Sequence, residues 1–171
     1  KHRASLHVVA GAAGLAALVY LSRHADMNNG AVAEEYVKIA AAKVAIPFWA
    51  AFFKGMLCNV LVCMAVWMAL AGRSVVDKAV AIVFPISAFV ALGFEHSIAN
   101  MYFIPAGLFI KAWAPDTFWA STGTAAADYP SITWQDFLVD NLLPVTIGNI
   151  IGGAVLVGLT YWFVYLRPSA D

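Results

Sequence analysis

A bundle of membrane-crossing α-helices is the fold class this sequence predicts, and three observations predict it. The 171 residues are 63% hydrophobic and 12% charged, whereas a soluble domain carries about 45–50% apolar and about 25% charged residues. Apolar runs of spanning length recur along the chain, and the mean hydropathy is +0.79. One of those runs, residues 79–110, holds a carboxylate and an imidazole at its middle, Glu95 and His96, with no other charged residue in it. Ionisable groups at bilayer depth are costly and are usually kept for ion or proton handling.

A spanning helix needs about 20 mostly apolar residues. Residues 4–22 supply the first: rich in Gly and Ala, carrying His7, and flanked by Lys1, Arg3 and Arg23. Residues 31–45 follow as a helix of mixed character, with Glu34 and Lys38 at the i,i+4 spacing that pairs charges on one face. It either lies on the membrane surface or extends the next span outward through Pro47. The second span covers residues 47–71 and ends at Gly72-Arg73-Ser74. Cys58 and Cys63 lie inside it and read as small apolar residues, since two cysteines make neither a disulfide framework nor a four-ligand zinc site.

The third run, residues 79–110, is too long for one ordinary crossing and too short for two crossings and a turn. The economical expectation is a broken span: a half-helix through about Leu92, irregular backbone at 93–97, and a second half-helix from about Ile98. Irregular backbone at that depth is tolerated only where protein buries it or a wet cavity meets it. A single, strongly tilted helix is the alternative. The fourth span covers residues 142–166 and ends at Arg167-Pro168. Gly148 and Gly152 give it a small-xxx-small pattern, and Tyr161, Trp162 and Tyr165 suit an interfacial belt.

Charge sets the orientation. Lys1, Arg3, Arg73, Lys78 and Arg167 fall on one side, while the connection 112–140 carries four Asp and no Lys or Arg. The positive-inside rule then places the chain ends in the cytoplasm, although Arg23, Lys38 and Lys43 on the far side pull against it. Ten basic against ten acidic residues give no sign of a nucleic-acid partner. No nucleophile–base constellation, phosphate loop or metal spacing stands in the sequence, so an enzyme is not expected and no cofactor is called for.

His96 heads the candidate residues, because imidazole is the side chain most easily moved across physiological pH. Such a group donates a hydrogen bond to a passing anion or protonates it. The plainer alternative is a histidine satisfied by a backbone carbonyl; a haem ligand is a third. Glu95 needs a partner at this depth, and Lys43 and Lys54 are the candidates. On one straight helix those lysines share a face, and Asn59 lies roughly 140° from Lys54, so either Pro47 redirects the chain or one lysine snorkels. Asn59 and Asn100 stand out among the amides by the segments that carry them; Asn141 and Asn149 suit interhelical bonding. Phe89 and Phe94 flank the break and suit either an apolar constriction or ordinary packing.

Three stretches, in order, resemble the formate/nitrite transporter family in its formate-channel branch. They are Leu57-Cys58-Asn59-Val60-Leu61-Val62-Cys63-Met64-Ala65-Val66-Trp67, Gly93-Phe94-Glu95-His96-Ser97-Ile98-Ala99-Asn100-Met101-Tyr102 with its flanks from Phe89 to Pro105, and Pro144-Val145-Thr146-Ile147-Gly148-Asn149-Ile150-Ile151-Gly152-Gly153. The resemblance covers nearly the whole chain. It implies an aquaporin-like inverted repeat of three plus three spans, a homopentamer with one pore per protomer, and a bacterial inner-membrane location. This chain would hold the third span and the second repeat. The first two spans, with a second broken helix and a pore-facing threonine, would come from a companion chain or from residues outside this sequence. By position, His96 would be the pore histidine and Phe89 a cytoplasmic-side constriction. Asn59 and Lys43 would support the site, and Glu95 and Asn100 would hold the broken loop.

The expected function is passage of formate or similar small monovalent weak-acid anions, passive or proton-coupled, with membrane lipid as the surroundings. Nitrite or hydrosulfide passage, and an aquaporin-like pore for neutral solutes, are the alternatives.

Overall fold

The structure, a computed structural model, describes residues 2–167, and side chains from residue 11 onward. Lys1, the side chains of Arg3 and His7, and Pro168, on which part of the orientation argument rests, lie outside the described residues. Among the described residues, seven longer helices carry the fold: α1 (His2–Leu21), α2 (Ala31–Val44), α3 (Phe48–Ala71), α4 (Val75–Ala91), α5 (Ser97–Trp113), α6 (Asp116–Thr122) and α7 (Asp136–Leu166). No strand occurs among the described residues.

The chain divides into two compact units, residues 1–47 with 97–143 and residues 48–96 with 144–171. In the first, α5 packs between α1 and α2. The α2–α5 approach is close: a Cβ on Gly107 would collide with the Ala40 methyl and lie 3.2 Å from the Tyr36 carbonyl. The core there is Val37, Ala40, Val44, Ile104, Leu108 and Ile110, closed by Trp119, Ile132 and Phe137. The Tyr36 and Tyr102 hydroxyls meet at 2.8 Å. Lys38 pairs with Glu34 at 2.6 Å, as their spacing predicts.

In the second unit, α3 packs on α4 and on the later half of α7. Gly148 and Gly152 put their bare faces on α3: a Cβ on the first would strike the Phe52 carbonyl, on the second the Met56 carbonyl. The small-xxx-small pattern is thus used within the chain. Trp67 lies edge-on to Tyr161 and Tyr165, with centroids 5.6 and 5.9 Å apart.

Two helices, α3 and α7, are long and apolar enough to cross a membrane among the described residues. A soluble core helix passes the same test but is mostly buried. Here only 17% and 28% of the respective apolar stretches are covered, so the remainder presents hydrocarbon outward, as lipid-facing helices do.

The structure departs from the sequence expectations at two places. Helical backbone leading into α7 already begins at residue 134, ahead of the expected residue 142, and Thr133 caps that start: Thr133 Oγ1 accepts the Asp136 N–H at 3.1 Å and also bonds the Asp136 carboxylate. The connection expected over 112–140 contains α6, which Gly123 terminates at φ 68°. Lys111 folds this connection back by donating to the Tyr129 and Ile132 carbonyls at 2.7 and 3.0 Å. Of the alternatives open at Pro47, the structure takes the redirected chain: α2 stops at Val44 and α3 restarts at Phe48. The single straight helix that would align Lys43 with Lys54 does not form, because Pro47 has no N–H to continue it.

The turn into α4 carries a reciprocal cap. Asp77 lies in the first turn, ahead of the apolar run from residue 79, and its carboxylate accepts the Ser74 and Arg73 N–H groups at 3.0 and 3.1 Å. Ser74 Oγ accepts the Asp77 N–H at 3.1 Å. These bonds, the Ser74 backbone one first, hold the Asp77 carboxyl below the ordinary carboxylate range. A depressed folded value means the cap's contribution is complete above the unfolded value and is lost as pH falls through the folded one. Protection of the Ser74 and Arg73 amides against exchange is therefore expected to fall at acid pH, and Asp77→Ala to lack that protection at all pH values. Protection equal in both proteins would refute the cap.

Candidate functional site

The break that interrupts the third apolar run is built by Gly93. α4 ends at Ala91, Leu92 is its last half-helical residue, and Gly93 follows at φ 64°. The Gly93 N–H donates to the Val90 carbonyl and the Phe94 N–H to the Phe89 carbonyl, both at 3.0 Å. This is the Schellman arrangement, which needs a left-handed residue where glycine pays no Cβ penalty. The helix therefore ends five residues before His96, and α5 starts one residue after it.

The irregular segment is gripped by its neighbours in the second unit. The Glu95 N–H reaches the Lys54 carbonyl of α3 at 3.4 Å. Asn149 of α7 donates through Nδ2 to the Glu95 carbonyl at 3.0 Å and to the Gly55 carbonyl of α3 at 2.8 Å. Asn59 of α3 donates in turn to the Asn149 carbonyl at 2.5 Å. Gly55 makes the approach possible, since a Cβ there would lie 2.8 Å from the Val145 carbonyl. Glu95 is 3% exposed and Asn149 7%. Each such bond is worth about 0.5–1.5 kcal/mol net, but leaving a buried polar group unmet costs more.

The imidazole of His96 stacks on the Phe89 ring, with centroids 5.9 Å apart and planes 30° from parallel. Both are half-buried. Phe89 thus serves the break twice, its carbonyl closing the Schellman turn and its ring backing the histidine.

Of the six residues singled out from the sequence, His96, Phe89, Glu95 and Asn59 come together in the second unit. Asn59 is a brace whose amide is committed to the α7 backbone. Lys43 and Asn100 belong to the first unit, where Asn141 links them. Asn100 Nδ2 donates to Asn141 Oδ1 at 2.7 Å, and Asn141 Nδ2 donates to the Lys43 carbonyl at 2.8 Å. Asn100 and Asn141 are fully buried. Asn141 and Asn149 make interhelical bonds, the role the sequence reading gave them. Their signal was a bookkeeping one: a chain break among apolar helices leaves backbone groups that need partners, and α7 carries two amides.

A similar fold and similar sequences occur in proteins already described. The formate channel FocA of Escherichia coli strain K12 is 48% identical over 152 residues, covering 89% of this chain and 53% of that protein. The formate channel FocB of the same strain is 42% identical over 161 residues, 94% of this chain and 57% of that protein. A solved structure described as a pentameric formate channel with formate bound superposes with a TM-score of 0.88 at 41% identity, covering 93% of this chain and 62% of that one. The chain spans little more than half the length of the curated relatives it matches. The family model described as formate/nitrite transporter matches residues 6–163. With its broken helix, its amide braces and these similarities, the chain belongs to the formate/nitrite transporter family.

Proposed function

We propose that this chain contributes the broken-helix wall of a membrane passage for formate and similar small monovalent weak-acid anions. The observation that supports it best is the His96 ring, stacked on Phe89 in a helix break that Asn149 holds open. Relatives at 42–48% identity are formate channels. An imidazole there either hydrogen-bonds the anion or hands it a proton. α5 begins at Ser97, and the positive end of its dipole favours an anion at that end of the helix. Lys43 supplies a cationic group for capture, while Phe89 narrows the cytoplasmic side.

The assembly that fits is a homopentamer with one passage per protomer; the similar solved structure is described as a pentameric formate channel with formate bound. It sits in a bacterial inner membrane with the C-terminus cytoplasmic, an orientation supported by Arg73, Lys78 and Arg167 beside the apolar helices. The test is flux through the full-length protein in liposomes. Formate is expected to equilibrate quickly while glycerol swelling stays at the protein-free rate. Rapid glycerol swelling without formate flux would overturn the anion passage in favour of a neutral-solute pore.

A further inference from the structure

We infer that Asn141 is a positioning residue for Lys43, supplying the hydrogen that Pro47 lacks. The inference rests on the anion passage proposed above and adds a residue to it. In a continuing α-helix the Lys43 carbonyl would accept from the N–H of residue 47. That residue is proline, which has no N–H. The Ile46 N–H reaches the Lys43 carbonyl at 3.4 Å, a long bond. Asn141 Nδ2 reaches it at 2.8 Å, from a side chain with no exposure. The last carbonyls of a helix have no intrahelical N–H and take partners from elsewhere, and for Lys43 α7 provides one.

The chemistry fixes the sense of the chain of bonds. A carbonyl only accepts, so the Asn141 group that faces Lys43 is its NH₂. Its oxygen then points the other way and takes the hydrogen from Asn100 Nδ2 at 2.7 Å. The last turn of α2, the first turn of α5 and the first turns of α7 are joined by two side chains. Tight α2–α5 packing at Ala40 and Gly107, one turn before Lys43 on α2, removes the remaining play. A lysine side chain is long and flexible, so the reach of its ammonium is set by where its backbone is held. Asn141 holds that backbone, and Asn100 holds Asn141.

The test is formate flux against concentration in liposomes, on the full-length protein. Asn141→Ser is expected to raise the half-saturating formate concentration about three- to tenfold, the scale of one lost hydrogen bond, with little change in maximal flux. Lys43→Met is expected to raise it comparably, and the double variant to add nothing further, because both act on one interaction. Pro47→Ala in the Asn141→Ser background restores a backbone donor and is expected to bring half-saturation part of the way back. If Asn141→Ser does not assemble, Asn141→Gln, with the same groups on a longer stem, is expected to show the same shift. Unchanged half-saturation in the variants, or equal added shifts in the presence and absence of Lys43, would overturn the inference alone. No formate flux in the unsubstituted protein would overturn the anion passage and the inference together.

Discussion

His96→Asn is expected to abolish the pH dependence of formate import while leaving the helix break in place. Asparagine keeps a hydrogen-bonding group of similar reach but does not titrate. The break does not depend on the imidazole, because Gly93 and the Phe89 and Val90 carbonyls make the turn and Asn149 holds the Glu95 carbonyl. A positioned acid–base group contributes about a hundredfold or more where it transfers the proton. Import driven by an acid exterior is therefore expected to fall by that order. A permanently charged anion, which takes no proton, is expected to pass at close to the original rate. If the charged anion slows equally, His96 serves as a hydrogen-bond donor in a passive channel. If neither flux changes, the ring stacked on Phe89 is a packing element and the proposed passage loses its central residue.

Gly148→Val is the substitution expected to damage the fold most. A Cβ at 148 would collide with the Phe52 carbonyl oxygen and lie 3.1 Å from both the Phe52 carbonyl carbon and the Met56 nitrogen. These are backbone atoms in the first half of α3, so no side chain can turn aside to make room. Overpacking usually costs about 1–3 kcal/mol and sometimes more, and a collision with a helix backbone belongs at the upper end. The consequence also reaches the site, since Asn149 is the next residue and its bonds to Gly55 and Glu95 depend on the same α3–α7 approach. Thermal unfolding of the detergent-solubilised protein is expected to show a large loss for Gly148→Val. Gly14→Ala is the control, because a Cβ on Gly14 meets nothing within 4 Å and Ala is favoured over Gly in a helix by about 1 kcal/mol. Equal stability of the two variants would mean that α3 and α7 do not approach as described.

Much of this architecture is readable from residue order. The helix over 31–44 follows from its i,i+4 charge pair and alanines, and α3 from its long apolar run. The break is announced by Gly93 and by polar residues where none are otherwise found. The early start of α7 was hidden, because it depends on Thr133 capping Asp136 inside a stretch that looks like loop. The α6 fold-back was hidden too, because Lys111 reaches carbonyls 18 and 21 residues further along the chain.

The pattern of apolar and polar residues determined that this chain is helical, suited to a membrane, and interrupted at a glycine beside a histidine, because periodicity, hydropathy and left-handed glycine turns are local properties. Tertiary structure decided which amides do what. Asn59, Asn141 and Asn149 look alike in sequence, yet one braces α3 to the α7 backbone, one caps the end of α2, and one grips the Glu95 carbonyl. A hydrogen bond joins whatever donor and acceptor the packed helices bring within about 3 Å, and these partners lie 54 to 98 residues apart.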